Sequence, residues 1–155
     1  MVPEPCWLPA PWGGLQLWFD HQGRLARIVL RTSDRRCGAP PPTAVALPFQ
    51  RYFEQGCWSF ELPLAPPATP FQGRLRRCLR AIPSGQTRTY GVLAAILASS
   101  PRAVGQGCRA NPLPLVVPCH RVVAARATGG YAGHRRGRLA AIKRWLLRHE
   151  GVDLT

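Results

Sequence analysis

The sequence predicts an α+β protein: a small N-terminal α/β part, built of a hairpin or sheet plus one helix, then a mostly helical C-terminal part containing a helix-turn-helix. Three observations predict it. Strand-like apolar stretches crowd the first third of the chain, and apolar residues recur at helical spacing in the second half. Between them a proline-rich stretch coincides with a change in charge. Residues 1–70 carry six Arg against five acids; residues 71–155 carry fifteen basic residues against two, for a total of 21 against 7 and a net charge of +14. Two domains are expected, 1–68 and 69–155.

The elements follow in order. Leu15-Gln16-Leu17-Trp18-Phe19 and Leu25-Ala26-Arg27-Ile28-Val29-Leu30 flank the turn-forming Asp20-His21-Gln22-Gly23, so residues 7–33 are expected to form a β-hairpin. A loop is expected over 34–45, a short helix over 48–54 and a strand over 58–62, where Trp58, Phe60 and Leu62 alternate with polar residues. Thr69 then Pro70 is a helix start, and Phe71, Leu75, Cys78, Leu79 and Ile82 fall on one face opposite Arg74, Arg76, Arg77 and Arg80. Thr89 is placed to cap a second helix, and Ser100-Pro101 to start a third that runs to Cys108. Two short helices with a tight turn fit a helix-turn-helix that lies across DNA, and fit a plain helical hairpin as well. Asn111-Pro112-Leu113-Pro114 excludes helix, and Leu115-Val116-Val117 is expected as a strand leading into Cys119. A glycine-containing loop over 128–137 and a last helix over 139–149, with Gly151 at its C-terminal cap, complete the chain.

Composition narrows the function. A strongly basic half beside a near-neutral half points to a polyanionic partner, although an arginine-rich surface that serves only solubility gives the same count. Twenty of the 21 basic residues are Arg; Lys143 is the exception. No apolar run approaches the ~18 residues that span a bilayer, so no membrane partner is expected. Residues 1–14 lack the basic start and long apolar core of a signal peptide. An intracellular chain is therefore expected, cytoplasmic or, in a eukaryote, nuclear. Its six cysteines (6, 37, 57, 78, 108 and 119) should stay reduced there. None forms a C-x-x-C pair, and no metal site is expected.

Cys119 is the candidate nucleophile. A thiol reacts as its thiolate, and His120, Arg121 and the surrounding positive charge favour proton removal. Pro114 and Pro118 stiffen the backbone that presents it. A buried, inert cysteine fits the same local facts. On a strand Cys119 and His120 would face opposite ways, so a bridging water is the expected route between them.

Pro118-Cys119-His120-Arg121-Val122 resembles the active-site motif of the O6-alkylguanine-DNA alkyltransferases. The similarity extends to Ile82-Pro83-Ser84-Gly85-Gln86-Thr87 with Tyr90-Gly91, to Arg102-Ala103-Val104-Gly105 and to Asn111-Pro112-Leu113-Pro114. It continues in Gly130-Tyr131-Ala132-Gly133 and in the stretch from Arg144 to Gly151. These motifs stand in the family's order across residues 69–151, whereas residues 1–68 resemble it only loosely.

The resemblance implies roles residue by residue. Cys119 would accept the alkyl group irreversibly, once per molecule. His120 would take its proton through a water, and Glu150 would orient the imidazole. Tyr90 would donate to the guanine ring as charge develops, and Asn111 would bridge the hinge and hold the active-site segment. Arg102 would fill the gap left by the flipped nucleotide. Tyr131 and Gly133 would line the pocket, with the backbone around Cys119, Val122 and Ala132 reading base edges. Arg102, Ala103, Gly105, Arg109, Arg121 and Arg135 would meet DNA, with the recognition helix in the minor groove. The implied partner is double-stranded DNA holding O6-alkylguanine, met by a monomer with clustering on DNA left open. No cofactor is implied, and the zinc ligands of some relatives have no counterparts near Cys6 and His21, so no structural zinc is expected. Departures at Ser84, Cys108 and the basic Gly133-His134-Arg135-Arg136-Gly137 bear on pocket size and substrate range. Two other readings compete. A sensor that binds alkylguanine without repairing it carries Trp at the position of Cys119. A general helix-turn-helix transcription factor leaves Cys119, His120 and Glu150 unexplained.

Overall fold

The computed structural model describes residues 4–33, 35–36, 38–125 and 137–154. The chain divides into two compact units, Met1–Pro66 and Pro67–Thr155. Among the described residues no helix is long and apolar enough to cross a membrane.

The first unit holds a three-stranded antiparallel sheet in the order β1 (Cys6–Ala10), β2 (Gly13–Phe19), β3 (Leu25–Arg31). The expected hairpin is β2–β3, with Leu17 opposite Ile28. A third strand, β1, pairs on its other side, with Leu8 opposite Leu15. Gly14 is required there, because a Cβ would fall inside the Trp7 indole. Helix α1 (Thr43–Gln55) begins five residues before the expected start and carries Pro48 in its interior. Its buried face, Ala46, Phe49 and Tyr52, outweighs the hydrogen bond that Pro48 cannot donate. It stops at Gly56, whose φ of 75° lets the chain leave the helix left-handed.

The strand expected at 58–62 is not formed. Phe60 is buried against Phe49, with ring centroids 4.9 Å apart, while Trp58 is 43% exposed. Pairing is confined to Leu25, whose N–H donates to the Pro63 carbonyl and whose carbonyl accepts from Ala65. Prolines at 63, 66 and 67 remove the donors that a longer ladder would need.

The second unit is helical, as its spacing predicts. Helix α2 (Pro70–Arg80) buries Leu75 and Leu79, and the Thr69 hydroxyl caps it by accepting from the Gln72 N–H. Strand β4 (Arg88–Thr89) runs into α3 (Tyr90–Ile96), capped by Thr89. Helix α4 (Pro101–Arg109) is capped by Ser100. The turn between α3 and α4 puts Ala98 at a φ of 51° and packs the two as a helix-turn-helix. Helix α5 (Arg138–His149) ends with Gly151 at a φ of 88°. Its last carbonyls are closed by the Gly151 N–H on Arg148 and the Val152 N–H on Leu147, a Schellman arrangement.

The strand expected at 115–117 is also not formed. Leu113, Leu115, Val116 and Val117 are buried in a turn in which the Val117 N–H donates to Leu113 and Leu115 sits at a φ of 72°. The strand pairing comes later, in β5 (Val122–Val123), parallel to β4.

Candidate active site

Cys119 opens a 3₁₀ turn, Cys119–Arg121, between the buried 113–117 turn and β5. Three backbone features fix it. Pro118 precedes it, the Cys119 N–H donates to the Val117 carbonyl at 2.8 Å, and the Arg121 N–H donates to the Pro118 carbonyl at 3.1 Å. Asn111 braces the same carbonyl. Its Nδ2 donates to Val117 O at 2.9 Å, and its Oδ1 accepts from the Leu113 N–H at 3.0 Å. Both ends of the Asn111 amide are thus engaged, one within the Pro112–Pro114 segment and one beyond it.

The 3₁₀ turn replaces the expected strand end and changes the directions of its side chains. His120 is fully buried, and its Nε2 lies 2.7 Å from Glu150 Oε2. Glu150 comes from the C-terminal cap of α5, where a carboxylate opposes the helix dipole. Arg121 compensates: its Nε donates to Glu150 Oε1 at 2.8 Å, its Nη2 to Oε2 at 3.0 Å, and its Nη1 to the Ile82 carbonyl at 2.7 Å. Arg121, expected on the DNA surface, is therefore turned inward. Its side chain is 11% exposed because its donors hold Glu150 and the end of α2's loop.

The electrostatics follow. Burial alone would push the Glu150 carboxyl up, but the hydrogen bonds and charges of His120 and Arg121 outweigh it and hold the carboxyl at about 2. Burial pushes His120 below its ordinary value, the Glu150 hydrogen bond and charge oppose this, and Arg121 and Lys143 push it further down. At neutral pH the pair is a carboxylate and a neutral imidazole. A carboxylate only accepts, so the imidazole proton sits on Nε2. Nδ1 then carries the lone pair, and it is buried without a hydrogen-bond partner among the described residues.

Tyr90 is the first residue of α3, directly after the β4–β5 pairing that sets Thr89 beside Val123. Burial, and then the Cys108 and Cys119 sulfurs, push its phenol up to about 12, so it remains a donor through the neutral range. Its ring faces Gly105 on α4, where a Cβ would stand 4.0 Å from Tyr90 Cε1. Val122 is fully buried, and its carbonyl accepts from Lys143 Nζ at 2.8 Å. Lys143 is buried too.

Helix α4 shows two faces. Val104, Gly107 and Cys108 are buried, and a Cβ on Gly107 would lie 2.5 Å from Leu75 Cδ2, so glycine is needed for α2 and α4 to pack. Arg102, Gln106 and Arg109 are exposed, with Ala103 and Gly105 half-buried between them. Among the described residues a Cβ at Gly105 would meet only Tyr90 Cε1, at ordinary contact distance. Gln106 was not singled out from sequence; its spacing of four from Arg102 places it on the same face.

The structure thus brings together Cys119, His120, Glu150, Asn111, Tyr90 and Val122, and puts Arg102, Ala103, Gly105 and Arg109 along one helix. Tyr131, Ala132, Gly133 and Arg135 lie outside the described residues. Lys143 and the inward Arg121 are the site residues that sequence reasoning missed or misplaced.

Three comparisons bear on this arrangement. Residues 70–152 match the family model described as the DNA-binding domain of 6-O-methylguanine DNA methyltransferase. A methylated-DNA–protein-cysteine methyltransferase of Salmonella typhimurium is 50% identical over 145 residues, covering 88% of this chain and 82% of that protein. The crystal structure of the Mycobacterium tuberculosis O6-methylguanine methyltransferase superposes with a TM-score of 0.76 at 31% identity, over 95% of this chain and 92% of that one. A structure of the same organism's protein in complex with DNA gives 0.74 at 29% identity, with the same coverage.

Proposed function

We propose, from the premise that this chain belongs to the 6-O-methylguanine DNA methyltransferase family, that Cys119 is the acceptor in its direct-reversal repair of alkylated DNA. The activity is that of a methylated-DNA–protein-cysteine methyltransferase, and its partner is DNA. The observation that carries the residue roles is the His120 imidazole, fixed through Nε2 on the Glu150 carboxylate with its Nδ1 left as a buried acceptor one residue from Cys119.

The steps follow from those protonation states. His120 Nδ1 takes the Cys119 proton through a water, and the Glu150 carboxylate stabilises the imidazolium that forms. The thiolate attacks the alkyl carbon on guanine O6. A C–S bond forms, the C–O bond breaks, and the electron pair remains on the guanine. Tyr90, protonated at neutral pH, donates its phenolic hydrogen bond to the ring as that charge develops, and the proton released from Cys119 restores neutral guanine. The product is a thioether, a bond that the imidazole, phenol and carboxylate beside it do not cleave, so each molecule acts once.

A base inside the duplex hides O6, so the nucleotide must rotate out. Arg102 would fill the gap, and Arg109 and Gln106, exposed on the same helix, would meet the backbone. Ala103 and Gly105 leave the α4 face low enough for a groove to approach. Residues 69–155 carry both binding and transfer in this reading, and 1–68 support them. The lining assigned to Tyr131, Ala132 and Gly133, and the backbone contact assigned to Arg135, complete the proposed site.

Incubation with duplex DNA holding O6-methylguanine tests the reading by intact mass. Wild type should gain one methyl group, and Cys119→Ala none. Methylation of Cys119→Ala would remove Cys119 from the role, and tight lesion binding without any gain would point instead to a sensor.

A further inference from the structure

We propose that Lys143 is the counter-cation of the Cys119 thiolate: a positioning residue that lowers the free energy of the reactive anion by charge. The inference rests on Cys119 being the nucleophile. Four observations lead to it. Lys143 is the single Lys among 21 basic residues, so the one position that departs from arginine is a buried one, 1% exposed. Its Nζ is fixed by donation to the Val122 carbonyl at 2.8 Å, three residues past Cys119. Its ammonium lies 5.9 Å from the centroid of the Tyr90 ring. It is also within electrostatic reach of both the Cys119 and Cys108 sulfurs.

A carbonyl and an aromatic face carry no net charge, and a buried ammonium needs an anion. Among the described residues, the titratable groups set against it are Cys119, Cys108 on α4, Tyr90 on α3 and His120, with Glu150 beyond the imidazole. Glu150 is already held by Arg121 and His120. Burial, and then Cys119, push the Cys108 thiol far above its ordinary value, so it stays protonated. The Tyr90 phenol is likewise held neutral. Among the described residues, Cys119 is the remaining neighbour that can carry the negative charge. Burial pulls Lys143 down to about 8 while the two sulfurs pull it back up, which is the reciprocal of the same attraction. Lys143 and Glu150 stand seven residues apart on α5, two helical turns, so one helix face supplies the cation for the thiolate and the carboxylate for the base.

The test reads the thiol without requiring transfer from DNA. The rate of iodoacetamide alkylation at Cys119, located by peptide mass mapping, is followed against pH in wild type, Lys143→Met and Lys143→Gln. Gln keeps a donor for the Val122 carbonyl and removes the charge. Both variants should raise the Cys119 midpoint by at least about one pH unit, about tenfold in thiolate fraction at a pH below it. Folded variants that titrate as wild type would overturn the proposal. Where neither folds, wild type labelled with ¹⁵N-lysine has one side-chain amine to follow. Its midpoint should fall by about one unit or more once Cys119 is methylated, because the thioether has lost the charge. An unmoved midpoint would sink the idea. Failure of Cys119 to take a methyl group from DNA would count against the proposed function and leave this titration intact.

Discussion

Replacing Glu150 with Gln probes the site through stability as well as rate. The Glu150 side chain is fully buried and accepts three hydrogen bonds, at 2.7, 2.8 and 3.0 Å, from His120 and twice from Arg121. Its carboxyl stands at about 2 against an ordinary 4.5. At about 1.4 kcal/mol per unit this corresponds to about 3 kcal/mol of native stability. Because the folded value is depressed, that contribution is fully present above pH 4.5 and is lost as the pH falls towards 2. His120 acts separately: its lowered value makes the unfolded chain bind the proton first, so stability already declines below the ordinary 6.5. Gln at 150 removes the charge and hydrogen bond that hold the imidazole up, so this decline is the steeper in the variant. Urea unfolding of wild type and Glu150→Gln across pH 2–7 should show a gap of about 3 kcal/mol at neutral pH. The gap should close between pH 4.5 and 2. The transfer rate at neutral pH should fall by about 10²- to 10⁴-fold, since the amide no longer fixes the imidazole as a base. A gap that persists unchanged down to pH 2 would refute the assignment of the ionised carboxylate as the source of the stability.

Four further outcomes are expected. His120→Ala should slow methyl transfer by about 10²- to 10⁴-fold while duplex affinity, read by fluorescence anisotropy, stays within twofold. Asn111→Ala removes both braces of the Pro112–Pro114 segment and should cost about 1–3 kcal/mol in urea unfolding, with slower transfer. Gly107→Ala should destabilise by about 1–3 kcal/mol, because its Cβ would press on Leu75 and Phe71, whereas Gly105→Leu should keep its melting temperature and lose DNA affinity. Arg102→Ala and Arg109→Ala should each weaken binding and reduce the slope of log K against log salt by about one, as measured between 50 and 200 mM salt.

The sequence made some elements readable and hid others, for physical reasons that differ. Helices α2, α3 and α4 were legible because each start combines a hydroxyl cap with a periodic apolar face; Thr69, Thr89 and Ser100 all accept the expected bond from the backbone. The 115–117 run misled because Leu-Val-Val suits a strand, while what decides its shape is the bracket of Pro112, Pro114 and Pro118 and a left-handed Leu115. Strand β1 was hidden in a stretch with Pro9 and Pro11, although its partner strand begins only three residues after it ends. The motif singled out Cys119, His120 and Glu150, and the fold brings the last two into contact. Arg121 was not placed correctly, since a guanidinium looks the same in sequence whether it meets a phosphate or a buried carboxylate. The available signal was scarcity: residues 71–155 contain two acids, so a carboxylate placed inside would draw a nearby Arg. Lys143 carried the same kind of signal as the one Lys of an arginine-rich chain.

The site is also where local rules are broken together. Glu150 stands at a helix C-terminus, against the dipole. Lys143 is buried, although an ammonium loses its hydration there. Leu115 holds a left-handed conformation that costs a non-glycine residue about 1–2 kcal/mol. His120 keeps a buried ring nitrogen without a partner among the described residues. Each is unfavourable alone, and folding by itself explains none of them, since apolar residues of similar volume would pack at Lys143 and Glu150 without loss of hydration. Each becomes intelligible from the thiol outward. In the proposed reaction that nitrogen accepts the Cys119 proton, and the misplaced carboxylate keeps the other nitrogen protonated. Arg121 keeps that carboxylate ionised, the strained turn fixes where the sulfur stands, and the buried ammonium faces the charge that appears when the proton leaves. The stability these features cost is offset in the neighbouring structure, by the Asn111 brace, the Schellman end of α5 and the close α2–α4 packing at Gly107. Arg121→Met should therefore be more damaging than the loss of a surface arginine such as Arg77: it would leave Glu150 buried without its main cation, and so raise the carboxyl on which the His120 base depends.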